Sequence, residues 1–162
     1  MTIRIGLVGS GFVATFYMQG LRDVPGQEVV ANCAKTLEEA HEFGRTWRIP
    51  HQHDDMAELC EREDVDLVVI GVPNHIHLDA VRIAAQAGKD MVVAKPLGRN
   101  AQEAAEMVRL AREANVMGAY AETEVFSPSV MRARALIEQG AIGDVLTVRS
   151  REGHSEIGRA HV

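Results

Sequence analysis

The chain predicts an α/β fold, a doubly wound parallel sheet. Three observations carry that expectation. Apolar, β-branched runs alternate with helical patterns from the first residues onward. A glycine turn, Gly9-Ser10-Gly11-Phe12-Val13-Ala14, stands directly between an apolar run and a helical pattern. Asp66–Val72 is almost continuously apolar, which suits a parallel strand covered on both faces. Right-handed crossovers bring the carboxyl ends of such strands to one edge. Ligands bind at that edge, so the residues just after each strand are where function is expected.

Ile3–Val8 reads as the first strand and Phe12–Val24 as the first helix. Glu28–Ala34 is the second strand. Thr36 followed by Glu39 makes a capping box for a helix reaching about Trp47. His51–His53 is a short third strand, with a short helix from Asp54 to Arg62. After the strand Asp66–Val72, a helix runs from about His75 to Ala87 and closes at Gly88. Asp90–Ala94 is the fifth strand. Asn100 and Glu103 open a long helix with Ala101, Ala104, Ala105, Val108 and Ala111 along one face. Val116–Glu122 is the sixth strand. Ser127-Pro128 then starts a helix that ends at Gly140, and Val145–Glu152 reads as one more strand.

Composition excludes several classes. A net charge of −6 with no basic run argues against nucleic acid and against an anionic membrane surface. No apolar stretch is long enough to span a bilayer, and no signal-peptide pattern opens the chain. Cys33 and Cys60 lack metal-type spacing, and two cysteines fit a reducing, cytoplasmic setting.

The strand ends carry the chemistry. Gly9 lets the chain turn sharply, and Gly11 lets the backbone approach a phosphate without a Cβ. Ala14 is small enough for the helix to pack close to the strand. The helix N-terminus offers unpaired N–H groups to an anion. Such turns also hold other adenine-containing ligands, S-adenosylmethionine among them. After the second strand comes Ala34-Lys35-Thr36, where an NAD-preferring fold places Asp or Glu roughly 20 residues past the turn. Lys35 can instead pair with the 2′-phosphate of NADP, or stand as a solvated lysine beside a helix cap. Asn74 can cap the helix that follows it. His75 with His77, or His51 with His53 and Asp54, could be read as metal pairs. Neither has a third ligand at a fixed spacing, so no metal is expected. Lys95, at the carboxyl end of the fifth strand, can hydrogen-bond a substrate hydroxyl or hand on a proton. Its alternative is a surface lysine before a turn proline.

Taken in order, the glycine turn, Pro73-Asn74-x-x-His77, Lys95-Pro96, Phe126-Ser127-Pro128 and Gly140-Ala141-Ile142-Gly143-Asp144-Val145 give the chain a family likeness. From about Thr2 to His154 it resembles the glucose–fructose oxidoreductase / inositol dehydrogenase family, Gfo/Idh/MocA. That resemblance implies a Rossmann-like domain and an NAD(P)-dependent oxidoreductase acting on a sugar, polyol or related hydroxy compound. By match, Gly9, Gly11, Phe12 and Val13 hold the pyrophosphate, and Asn74 and His77 lie near the cofactor. Lys95 is the lysine of the family's Glu-Lys-Pro motif, beside the nicotinamide and the reacting hydroxyl. Pro96 follows a cis peptide, and Glu122 faces the cofactor edge. Two positions depart from the pattern: the family's glutamate is Ala94 here, and its threonine before Pro-Asn is Val72. These departures, with the second domain absent, leave open a non-catalytic dinucleotide-binding or sensing module. A methyltransferase of related fold fits less well, given the later Lys-Pro motif.

The expected organisation is a dinucleotide-binding domain over 1–122 and a connecting helix with the start of a substrate domain over 123–154. Residues 155–162 are expected to be a non-native tail. Glu156–Val162 can be encoded by GAG ATC GGA AGA GCA CAC GTC, with TGA next. That string is similar to a common sequencing-library adapter apart from its first base, so the natural protein is expected to diverge at about Ser155. Oligomers of this family form through the second domain, so a homo-oligomer is expected only where that domain is present.

Overall fold

A computed structural model describes residues 2–151. The chain divides into two units, Met1–Ala121 and Glu122–Val162. In the first unit the order is β1 (Ile3–Val8), α1 (Phe12–Leu21), β2 (Gln27–Cys33), α2 (Leu37–Trp47), β3 (His51–His53) and α3 (Met56–Glu61). It continues with β4 (Leu67–Ile70), α4 (His77–Gln86), β5 (Asp90–Ala94), α5 (Ala101–Glu113) and β6 (Gly118–Ala121). The six strands form one sheet in the order β3-β2-β1-β4-β5-β6, and every pair is parallel. The order reverses between β1 and β4, where Val8 pairs with Ile70. That is the switch point at which this architecture opens a crevice for ligands.

The strands alternate their side chains between two apolar layers. Val68 and Ile70 of β4 pack with Met91, Val93, Leu59, Val81 and Met107 on one face. Ile5 and Leu7 of β1 join Val69, Ala14, Phe43 and Ile49 on the other. Both faces are covered, so β4 reads as an unbroken apolar run rather than as an alternating one. Three caps hold helix starts in register. Thr36 accepts from the Glu39 amide at 3.2 Å, Asp55 from Ala57 at 2.7 Å and Asn100 from Glu103 at 2.9 Å.

Several boundaries differ from the sequence expectation. α1 stops at Leu21 rather than Val24, because Pro25 disfavours helical backbone in the residue before it. The fourth-strand ladder ends at Ile70, and the sixth strand is confined to Gly118–Ala121. A 3-10 turn, Asn74–Ile76, comes ahead of α4. The buried face of α5 matches the expected one only in part: Ala111 is buried and Ala104 half-buried, but Ala101, Ala105 and Val108 are exposed, and Met107 takes the core position. Met107 and Leu110 gain far more from burial than alanines do, and they set the helix rotation.

Both thiols are buried within the first core layer. Burial, helped by the nearby Asp55 carboxylate, pushes the Cys33 thiol up to about 12. Burial likewise pushes Cys60 up to about 11, against a smaller opposing pull from Lys89. Thiolate is the reactive form. An aromatic disulfide reagent at about pH 8 should therefore leave both cysteines untouched in the native chain and label both after unfolding. Fast native labelling of either would contradict the buried placement.

In the second unit a 3-10 turn, Glu124–Phe126, leads into α6 (Pro128–Glu138). Ser127 caps it by accepting from the Val130 amide at 3.4 Å, with Pro128 in the first turn. Gly140, at φ 69°, follows its end. The strand expected over Val145–Glu152 is absent from 145–151. A strand needs a neighbour to satisfy its N–H and C=O groups, and no described residue pairs with this segment. Glu152 and the 155–162 tail lie outside the described residues. Among the described residues no helix is long and apolar enough to cross a membrane.

Candidate functional site

The glycine turn sits where β1 leaves the sheet. The Gly9 amide donates to the Cys33 carbonyl at 2.8 Å, tying the turn to the end of β2. The Gly71 amide donates to the Val8 carbonyl at 2.8 Å, tying it to the end of β4. Gly9 has φ +124°, and a Cβ there would stand 2.5 Å from the Gly71 oxygen. Only glycine fits that combination. Ala14 is fully buried, so α1 packs close against the sheet as its small side chain predicts.

Gly11 is a different case. It is the N-cap of α1 at φ −88°, and it makes no side-chain cap. A Cβ at Gly11 would meet no protein atom within 4 Å. Nothing inside the chain therefore demands glycine, and the space above it is open. The Thr15 amide donates to the Gly11 carbonyl at 3.0 Å. The N–H groups ahead of it, on Phe12, Val13 and Ala14, belong to the helix end that has no intrahelical acceptor. The first turn of α1 carries no acidic residue. An anionic group is thus favoured here by both the helix dipole and the open donors. The Phe12 side chain is 77 % exposed and lies beside Phe16, ring centroids 5.1 Å apart.

The other expected residues of the first unit distribute along the same edge. Lys35 is exposed just past β2 and makes no ion pair among the described residues; Thr36, next to it, is occupied with the α2 cap. Lys95 is exposed just past β5, and its ammonium likewise has no carboxylate partner among the described residues. Its neighbour Ala94 is buried, and the Lys95–Pro96 bond is cis, as the motif implied. Asn74 is half-buried in the loop after β4. It does not cap a helix, contrary to the sequence reading: Pro73 and Ile76 occupy the cap positions, and neither has a side-chain bond. The 3-10 turn takes up the backbone that a cap would serve, leaving the Asn74 amide without a hydrogen bond among the described residues. Glu122 follows β6 directly and is the first residue of the second unit; its carboxylate accepts from the Glu124 amide at 3.2 Å.

His77 turns inward. Its ring is 0 % exposed and touches the edge only through what it holds. Nε2 lies 2.8 Å from the Val72 carbonyl oxygen, and Nδ1 lies 3.0 and 3.1 Å from those of Pro96 and Leu97. The sequence reading also passed over Gly71, which it treated as ordinary strand. A Cβ there would come 3.4 Å from Val13, so this glycine helps α1 approach the sheet. A lone glycine near the end of an all-apolar run was the available signal. His75 is exposed, and among the described residues no group of three His, Cys, Asp or Glu side chains is arranged to hold a metal. Hollows of about 480 and 500 Å³ lie elsewhere, along α5 beside Arg109 and next to Trp47.

An NAD(P) pyrophosphate fits these residues: an open glycine N-cap, free helix donors and no acid in the first turn. The comparisons agree. A model of the oxidoreductase family with the NAD-binding Rossmann fold matches residues 3–122. The trans-1,2-dihydrobenzene-1,2-diol dehydrogenase of Bos taurus is 35 % identical over 155 residues, covering 94 % of this chain and 46 % of the relative. The chain thus spans about half the length of the curated relatives it matches. An oxidoreductase from Agrobacterium radiobacter, solved with NAD+, L-tartaric acid and magnesium, superposes with a TM-score of 0.85 at 26 % identity, over 89 % of this chain and 42 % of that one. An NAD-binding oxidoreductase from Klebsiella pneumoniae gives 0.79 at 30 % identity, over 88 % and 40 %. With the glycine turn, the switch point and Lys95-Pro96 all in place, the chain belongs to the Gfo/Idh/MocA oxidoreductase family, within its NAD-binding Rossmann fold.

Proposed function

We propose that the chain is the cofactor-binding half of an NAD(P)-dependent oxidoreductase that moves a hydride between nicotinamide and a sugar, polyol or related hydroxy compound. The trans-dihydrodiol in the relatives' name falls in that class. The observation that carries the reading is the bare N-terminus of α1 at Gly11, with exposed Lys95 on the same sheet edge. In this reading 1–122 binds the dinucleotide and 123–154 begins a substrate domain. The chain alone turns nothing over, and oligomers form through that second domain. Two free, buried cysteines support a cytoplasmic setting.

Gly11, Phe12 and Val13 hold the pyrophosphate through main-chain N–H groups and the positive end of α1, and Gly9, whose own N–H is bonded to Cys33, shapes the turn that presents them. Lys35 stands at the adenosine ribose, where its charge favours a 2′-phosphate. Asn74, Pro96 and Glu122 border the nicotinamide end. Once bound, the nicotinamide supplies the hydride chemistry. Lys95 would hydrogen-bond the substrate oxygen through Nζ: in the reducing direction its ammonium gives that oxygen a proton as the neighbouring carbon receives hydride, and oxidation runs the same transfer in reverse.

Nicotinamide fluorescence titrations with NADPH and NADH test the reading on this chain. One charge-assisted contact from Lys35 is worth about 1.5 kcal/mol, so NADPH should bind roughly tenfold tighter. Lys35→Ala should erase that preference and leave NADH binding unchanged. Binding of neither nucleotide, with S-adenosylmethionine bound instead, would sink the proposal. An unaltered NADPH preference in Lys35→Ala would remove Lys35 from the ribose site.

A further inference from the structure

Asn32 and His77 are the two buried polar side chains among the described residues. Asn32 binds one helix carbonyl, Ala40, at 3.1 Å. His77 reaches three carbonyls on two separate chain segments. Val72 belongs to the loop after β4, and Pro96 and Leu97 directly follow Lys95 after β5. The ring therefore bridges the two segments that leave the sheet on the Lys95 side of the switch point. Each partner is an acceptor. Nε2 faces one segment and Nδ1 the other, so the ring spans the gap between them.

We propose that His77 is a positioning residue for Lys95: wedged between the two segments, its ring fixes the spacing between the Val72 and Pro96–Leu97 carbonyls and so sets where Lys95 enters the site. This rests on the reading of Lys95 as the group beside the nicotinamide. It assigns no ligand contact to His77 itself.

The chain has three lysines, Lys35, Lys89 and Lys95, which makes them separable reporters. Dimethylation with 13C-formaldehyde keeps their charge and gives each an NMR signal, assigned by single Lys→Arg variants. NADPH is the probe. In the unsubstituted chain it should move the Lys35 and Lys95 signals. Lys89, bonded to the Arg62 and Val65 carbonyls, should stay fixed and report on the fold. His77→Phe keeps the ring's bulk and removes both nitrogens. In that variant Lys35 should still respond, Lys89 should be unmoved, and the Lys95 response should be lost. An undiminished Lys95 response in His77→Phe would overturn the proposal, leaving His77 as core filling. Failure of NADPH to move Lys35 and Lys95 in the unsubstituted chain overturns the cofactor reading instead, and the positioning role with it. Should the variant not fold, 15N spectra of the unsubstituted imidazole decide. A His77 ring whose two nitrogens both show the shifts of buried, carbonyl-facing atoms supports the bridge, and a ring with a solvent-facing nitrogen overturns it.

Discussion

Replacing Gly9 by valine is expected to remove both fold stability and cofactor binding, whereas replacing Gly11 by alanine should remove binding alone. At Gly9 two penalties act together. The φ of +124° lies outside what a β-branched residue adopts, and the added Cβ stands 2.5 Å from a backbone oxygen rather than from a yielding side chain. That oxygen belongs to Gly71, which is itself fixed by its bond to Val8. Strained backbone and overpacking each cost about 1–3 kcal/mol, or about 2–6 together. For a chain of this size that lowers the melting temperature by about 5–20 °C. At Gly11 neither penalty applies, because φ is −88° and the Cβ points into open space. Its melting temperature should stay within about 2 °C. The new methyl occupies the phosphate's position, however, and NADPH affinity should fall more than about tenfold. Thermal unfolding and nicotinamide fluorescence, run on both variants, separate the two effects. A Gly11→Ala chain that binds NADPH normally would move the pyrophosphate away from this turn.

Much of the fold was legible because local chemistry and global pattern agree. Thr36-Glu39 and Asn100-Glu103 predicted two helix starts that the structure places at those residues. The apolar run Asp66–Val72 predicted a strand covered on both faces, and the two core layers share the side chains of the ladder that ends at Ile70. The α5 face misled because alanine is small enough to sit anywhere, and burial was decided by Met107 and Leu110. The segment 145–151 misled for the opposite reason. Its alternation is genuine, but a strand is a property of a pair, and a pattern in one segment does not supply the neighbour.

The site was legible at its donors and opaque at its supports. Gly9, Gly11 and Lys95 announce themselves by residue type and spacing. The ring of His77 points inward, to carbonyls of three residues at 2.8–3.1 Å. A sequence shows that a histidine follows a strand; it does not show which way the ring turns. That direction depends on which chain segments come together, here the loops after β4 and β5. Asn74 is the mirror case, an amide suited to capping that the 3-10 turn leaves unused.

The core beneath the turn is expected to matter to binding as well as to stability, and Leu7→Ala tests both. Leu7 is 0 % exposed in the central strand β1, in the layer that also holds Ala14 of α1. Truncating a buried leucine costs about 2–5 kcal/mol, a large share of the roughly 5–15 that holds a domain together. Leu59→Ala should cost a similar amount, since Leu59 is also 0 % exposed, but it lies in the opposite layer with α3. The two variants should differ in how much NADPH restores. A ligand at 100 times its dissociation constant returns about 2.7 kcal/mol to any chain whose site is intact. Leu59→Ala should show the full NADPH-induced rise in melting temperature seen for the unsubstituted chain. Leu7→Ala should show less, because the cavity lies under α1 and lets the donor-bearing helix end shift from the phosphate. Equal rises in both variants would mean that the tie from Gly9 to Cys33 and from Gly71 to Val8 holds the turn without help from the layer below it.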